Sequence, residues 1–390
     1  MTVSVIFMLW ITSIWSQTVE DTEEIKLEIK GLMANSEILE VNKIIKENTF
    51  LDIEYRLSIL NESLELAKER NRPKELEDTY FSLGNFWHTQ DNKIKAFAYY
   101  LKCDSIAKKN NHFLLEGMAL MNRSSLLEDH SLRIRMTKKA VEAFEKTNDT
   151  LNLAKAHLNV GVTYSLFFNS VKLIDSINNP KLRKDIAYYK ENMFKHYTIA
   201  DSLGESIKAN DVRAAVTIYY GEWYDYLGQL KLGKDFFRRG KNFSHLSGFL
   251  KGEVYCILQI AFIDRKLGYT NEMFQNLAVV EEMSIKNKYN DYLKQVYEVY
   301  VSIYSENNES DKALKYQQLL TQVKLDLLNS GNQDKLRILG LQNELSENAY
   351  QLEKVESQQK INKIIMMLSV ILSFFVAGIA YLALKNKKRK

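Results

Sequence analysis

Proline is nearly missing from this chain: Pro73 and Pro180 are the only two in 390 residues. Proline removes a backbone donor and clashes with the preceding helical turn, so its scarcity leaves room for many unbroken helices. Glycine is sparse as well, 15 residues in all, which excludes a collagen-like chain and argues against a β-rich one. There are two cysteines, Cys103 and Cys256, and six scattered histidines, with no CxxC or HxxxH spacing. Metal sites need such clusters, so none is expected. The chain also lacks a GxSxG, a P-loop and a GxGxxG, and its plentiful carboxylates suit solvated helix faces. The expectation is a protein that is not an enzyme, with no cofactor and no catalytic residue. A large excess of charge of one sign is missing too. The formal net charge is +4, but Lys385 to Lys390 carry five positive charges, which leaves the rest of the chain at −1. A nucleic-acid-binding surface is therefore not expected.

What the chain does have is a regular beat. Small residues recur at Gly84, Ser124, Gly161, Gly221, Ala261 and Val301, in steps of 40, 37, 60, 40 and 40. Three positions after each mark stands a bulky side chain, Trp87, Leu127, Tyr164, Tyr224 or Tyr304, with Asp264 as the exception. Seven positions on comes a turn former: Asp91, Ser131, Gly228, Gly268, Asn308. Twelve on are Ala96, Met136, Gly233, Met273 and Ala313; sixteen on are Tyr100, Ala140, Phe237, Leu277 and Gln317; nineteen on are Cys103, Ala143, Gly240, Val280 and Leu320. The long step holds about twenty extra residues, and allowing for them brings Met193, Tyr197 and Ala200 into line. Apolar residues within each copy fall at i, i+3, i+4 and i+7, the helical period. Small residues suit close helix crossings, and Gly, Asn and Asp suit the left-handed residue that ends a helix. The spacing predicts stacked helical hairpins, each burying its apolar face on its neighbours. Two cysteines about four repeats apart are read as separate buried thiols, Cys103 at a packing position.

The segments SLGNFW…KAFAYYLKC (Ser82 to Cys103) and YYGEWYDYLGQLKLGKDFFRRG (Tyr219 to Gly240) resemble tetratricopeptide repeats. The resemblance covers roughly residues 28–327, with weaker copies near Ser124, Ala261 and Val301 and a period longer than the family's usual thirty-four residues. It implies an all-α fold, a right-handed superhelical solenoid of antiparallel helix pairs. Gly84, Trp87, Ala96, Tyr100, Gly161, Tyr164, Gly221, Tyr224, Gly233, Phe237 and Ala313 take the packing positions. The family's concave groove is lined by the first helix of each repeat. The groove offsets fall on Asn85, His88, Ser125, Glu128, Val162, Ser165, Glu222, Asp225, Phe262, Arg265, Ser302 and Ser305, with Asp78, Lys155, Tyr255 and Gln295 upstream on the same side. Such a mixed polar row fits an extended peptide or a helix of another protein.

The remaining segments complete the expected organisation. Residues 1–16 contain a short apolar run, Val3 to Trp15, too short to span a bilayer and read as a signal peptide. Residues 17–75 are N-terminal helices with a degenerate first repeat, and 76–327 are the repeats, with the insertion at about 167–188. Residues 328–360 form a helical stalk, either a coiled coil joining a homodimer or a lone amphipathic helix, with Ile338, Leu341, Leu345, Leu352 and Val355 at heptad positions. Residues 361–384 are read as a transmembrane helix, because Ile364 to Leu384 carry no charge, and 385–390 as a basic cytoplasmic tail. Together these place the chain in a bacterial inner membrane, single-pass, with its repeats in the periplasm. Two functions fit: a membrane-anchored adaptor that holds a protein or peptide in its groove, or the ligand-sensing part of a signalling receptor. The order of segments resembles receptors that continue into a histidine kinase or a helix-turn-helix regulator, although only six residues follow the span.

Overall fold

Most of the short turns between helices carry a left-handed residue, and helices of 17 or 18 residues are the commonest. In the computed structural model the described residues are 22–172, 180–329 and six positions between 357 and 366; all the regular structure among them is helical. The left-handed residues Asn71, Asp91 and Asn111 are twenty apart, as are Lys208, Gly228, Gly248, Gly268, Lys288 and Asn308. At each, the amide after the left-handed residue reaches back five positions: Asn92 N to Trp87 O is 2.9 Å, Gln229 N to Tyr224 O 2.9 Å, Tyr269 N to Asp264 O 2.8 Å. This closes the carbonyl end of one helix and reverses the chain into the next. The helix after Asp91 begins on a side-chain cap, where Asn92 accepts from Lys95 N at 3.1 Å.

The chain falls into two units, Met1–Tyr219 and Tyr220–Lys390. The first holds α1 (22–35), α2 (Ile38–Glu47), α3 (Ile53–Glu69), α4 (Pro73–Thr89), α5 (Lys93–Lys109), α6 (Phe113–Ser125), α7 (His130–Phe144), α8 (Thr150–Lys172), α9 (Pro180–Ser206) and the start of α10 (Asn210–Tyr226). From α2 to α9 each helix packs on the next, and α4 also touches α2 and α6, while α6 touches α8. Even-numbered helices therefore form one layer and odd-numbered ones the other, the arrangement of stacked hairpins. The second unit holds the rest of α10, α11 (Leu230–Leu246), α12 (Leu250–Leu267), α13 (Thr270–Asn287), α14 (Asn290–Glu306) and α15 (Ser310–Asn329). There too neighbours pack in order from α11 to α15, and α12 touches α14.

Inside the hairpins, a glycine on the even helix admits an aromatic ring from the odd one. A Cβ on Gly84 would lie 2.5 Å from Tyr100, one on Gly161 2.5 Å from Tyr197, and one on Gly221 2.9 Å from Phe237. The three rings are buried, which contributes about 1.5–3 kcal/mol apiece. Ala96 and Tyr164 are buried as well, Trp87, Tyr224 and Ala313 half-buried, and the Lys95 ammonium lies 3.8 Å from the Trp87 ring centre. Gly233 sits against backbone, 3.0 Å from Asp225 N for a Cβ built there. In the copy marked by Ser124 the close approach moves to Gly117, where a Cβ would meet Phe144 at 2.7 Å. Ser131 is no turn former: α6 ends at Ser125, Asp129 caps α7 by accepting from Leu132 N at 2.8 Å, and Ser131 lies inside α7.

Asp264, the exception to the bulky rule, is wholly buried and paired with Lys234, whose ammonium also lies 5.3 Å from the Tyr269 ring centre. Asn276 Nδ2 donates to the other carboxylate oxygen at 3.2 Å. Lys234 follows Gly221 by thirteen residues, where Phe97 follows Gly84 and Phe274 follows Ala261. One repeat on, the equivalent pair is Phe274 and Tyr304, with ring centres 6.2 Å apart, so an ion pair stands here where two rings meet there.

The extra residues of the long step extend α8 to 23 and α9 to 27 residues, against 17 for α4 or α10. The link 173–179, with Asn178 and Asn179, lies outside the described residues. So do residues 1–21, which hold the expected signal peptide, nearly all of the stalk at 328–360 with its dimer interface, and the tail at 385–390. The assignment to a bacterial inner membrane with periplasmic repeats is corrected: no helix among the described residues is long and apolar enough to cross a membrane. The helices from α2 to α15 carry charged side chains, as amphipathic helices with one wetted face do. The run Ile364 to Leu384 behind that assignment lies outside the described residues except for Ile365 and Met366.

Candidate functional site

The layer of even-numbered helices in the first unit leaves an open cleft of about 510 Å³. Ile45, Leu60, Phe81, Phe86, Met118 and Met121 give it apolar walls, and Ser82, Asn85, Asn122 and Asn152 give it polar points. A smaller cleft of about 260 Å³, lined by Met121, Lys155, Leu158, Asn159, Asp211 and Val212, continues past Met121 along α6, α8 and α10. The Lys155 ammonium lies 3.3 Å from the Asp211 carboxylate on this second stretch.

The polar points are held in place from below. The Tyr100 hydroxyl donates to Asn85 Oδ1 at 2.8 Å, and Asn122 Nδ2 donates to the same oxygen at 3.1 Å. His88 Nδ1 is 3.5 Å from the Tyr100 hydroxyl. Burial pushes the Tyr100 phenol well above its ordinary range, so it stays a neutral donor. With its oxygen occupied twice, the Asn85 amide is fixed in orientation. Deeper on α4, Asp78 accepts from Asn42 Nδ2 at 2.9 Å. Burial raises the Asp78 carboxyl, against the opposing pull of that hydrogen bond and of Lys46 and Lys74.

Arg56 of α3 is the unusual lining residue. Only 6% of it is exposed, and its Nη1 donates to Thr49 O at 3.3 Å. Its guanidinium carbon lies 5.5 Å from the Phe86 ring centre. Nε is buried with no hydrogen-bond partner, and burial lowers the guanidinium's pKa. Among the described residues no carboxylate lines this cleft, whereas Lys46 and His88 line it with Arg56.

The residues expected from the groove offsets divide by unit. Asn85 and His88 line the larger cleft. Ser125 is the exposed last residue of α6, and Glu128 lies in the following loop, because α6 stops short; neither lines either cleft. Val162 and Ser165 are half-buried on α8, outside both clefts. In the second unit the expected residues tie neighbouring even helices together. Tyr255 OH donates to Glu222 at 2.6 Å, Lys266 to Asp225 at 2.7 Å, and Arg265 to Ser302 and Glu306 at 2.9 Å each. Burial raises the Glu222 carboxyl against the hydrogen bond from Tyr255. Phe262 packs half-buried on the core of this unit, and Ser305 is exposed.

Most of the cleft lining escaped the offsets, including Arg56, Met118, Met121 and Asn122. Met118 precedes Ser124 by six, just as Asp78, Lys155 and Tyr255 precede their marks, so the same rule finds it. Arg56 lies ahead of the first mark on an odd helix, and no repeat offset reaches it.

A second polar cluster sits between α8 and α9. His157 and His196 stack with ring centres 5.1 Å apart and Nδ1 atoms 2.9 Å apart. Burial, then His157 and the cations Lys138 and Lys195, push His196 down to about 4; burial first, then Lys195, also lowers His157. Both buried cysteines are free, and burial pushes the Cys256 thiol up to about 12.

Among solved structures, the chain is similar to the apo form of RapI, with 11% identity and a TM-score of 0.51 over 72% of this chain and 94% of that one. It is also similar to aspartyl phosphate phosphatase F from Bacillus subtilis, with 14% identity and a TM-score of 0.52 over 86% of this chain and 93% of that one. The fold is a helical-hairpin repeat of the tetratricopeptide type. At such identities the likeness is one of architecture alone. No protein-family model matches the chain, and no curated protein matches it by sequence.

Proposed function

We propose that this chain is a binding module that holds an extended peptide, or a segment of another protein, along the even-helix face of its first unit. The observation that carries this reading is the pair of clefts that share Met121 and run across successive even helices. Rigid aromatic walls, adaptable thioethers and oriented amides are the surface that grips a peptide backbone and its apolar side chains. The reading is one of binding rather than catalysis. Beside Arg56 and Lys46 the cleft offers amides, thioethers and rings, and its imidazole, His88, faces the neutral Tyr100 hydroxyl. An adaptor role follows, in which the bound segment is presented or retained unchanged.

The test is retention of a randomised heptapeptide pool by the full chain, read by mass spectrometry. The Met121→Glu variant, which places a charge where the clefts meet, is expected to retain at least about tenfold less. A control variant at exposed Leu232 of α11 is expected to match the parent. Equal retention by Met121→Glu, with circular dichroism showing it folded, removes the reading.

A further inference from the structure

We infer that the larger cleft is a carboxylate-binding site, and that Arg56 receives a carboxylate carried by a peptide ligand. This rests on the peptide-binding reading and deepens it. A guanidinium that is almost wholly buried needs its donors satisfied and its charge balanced. Arg56 has one carbonyl, Thr49 O, and the face of Phe86; its Nε has nothing. Other buried cations of the chain are paired: Arg123 with Asp104, and Lys234 with Asp264. Arg56 instead lines open space, and among the described residues no acidic side chain lines it. An anion is therefore the missing partner. The planar fork of guanidinium donors matches a carboxylate in two-pronged geometry.

The surroundings narrow the ligand further. Phe81, Phe86, Leu60 and Met118 provide apolar contact beside Arg56, while Asn85 and Asn122 present amides tied to the Tyr100 hydroxyl. This composition suits a carboxylate flanked by an apolar side chain and by peptide groups. It does not suit a heavily charged, strongly hydrated anion.

The test offers the full chain three pools of heptapeptides. One is C-terminally amidated and free of Asp and Glu, one has a free C-terminus and no acidic side chain, and one is amidated but contains Asp and Glu. At least one of the two acidic pools is expected to be retained about tenfold or more over the neutral one. The Arg56→Met variant is expected to lose that preference while still retaining apolar peptides. Equal retention of all three pools by the parent protein overturns the carboxylate site and leaves peptide binding standing. This comparison does not depend on the variant folding. If no pool is retained, peptide binding falls, and 4-phenylbutyrate is compared with 4-phenylbutan-1-ol by thermal shift. A shift with the acid alone, absent in Arg56→Met, supports the site with a small apolar acid as its ligand; no difference overturns it.

Discussion

At the scale of single residues, the backbone separates conformational strain from packing. Lys288 holds a left-handed conformation at φ 57°, in the turn position where Gly268 stands at φ 78°. A Cβ on Gly268 would meet nothing within 4 Å, so a substitution there is felt only through the backbone. Left-handed geometry costs an L-residue about 1 kcal/mol or more. Lys288→Gly is therefore expected to raise the urea midpoint and Gly268→Ala to lower it, each by about 1 kcal/mol of stability. Asp264 makes a harsher test. Asp264→Ala leaves the Lys234 ammonium buried without its carboxylate and is expected to lose about 3–5 kcal/mol, and Lys234→Met with Asp264→Leu is expected to recover most of it. The sequence marks Asp264 as an anomaly but does not name Lys234, thirty residues earlier on another helix. An ion pair across elements has no periodic signature, and neither does Arg56, whose role depends on the cleft in front of it.

At the scale of elements, the legible part was whatever repeats. Helix ends at Asp91, Gly228, Gly268 and Asn308 follow from residue type, and the Gly84–Tyr100 and Gly221–Phe237 crossings from their spacing. The complementary turns at Asn71, Asn111, Gly248 and Lys288 carry the same beat at half the period, and it emerges only when both helices of a hairpin have equal length. α6 was misjudged because it ends four residues early, and a degenerate copy does not announce its own truncation. The α8–α9 hairpin carries its own prediction. The folded His196 sits near 4, below the 6.5 or so of an unfolded histidine, so between these values the unfolded chain binds more protons. Stability from this group is complete at pH 7 and is lost as the pH falls through that window. The melting temperature is expected to drop between pH 7 and pH 4 by at least about 3 °C more in the parent than in His196→Gln.

At the scale of the whole molecule, each hairpin borrows its cohesion from the next, so damage should spread locally and fade. Gly84→Val forces a branched side chain into the Tyr100 ring. Amide exchange is expected to speed up most in α4 and α5, less in α6, and little in α9. Uniform acceleration throughout the first unit would instead indicate a single cooperative core. The overall plan was readable from the beat alone because a repeated contact writes itself into the sequence several times. The cleft was only partly readable: Asn85 and His88 lie at the groove offsets and Met118 at the upstream one, whereas Arg56, Met121 and Asn122 lie at none of them.

The buried Lys234–Asp264 pair has one more consequence. A row of look-alike hairpins invites docking one place out of step, within a chain or between two chains exchanging arms. If α11 docked on α14 in place of α12, Lys234 would meet Tyr304 and Asp264 would lose its cation. Two charges stranded in oil make that mistake far costlier than swapping one greasy surface for another, so the pair works as an address that tells α11 which neighbour is its own.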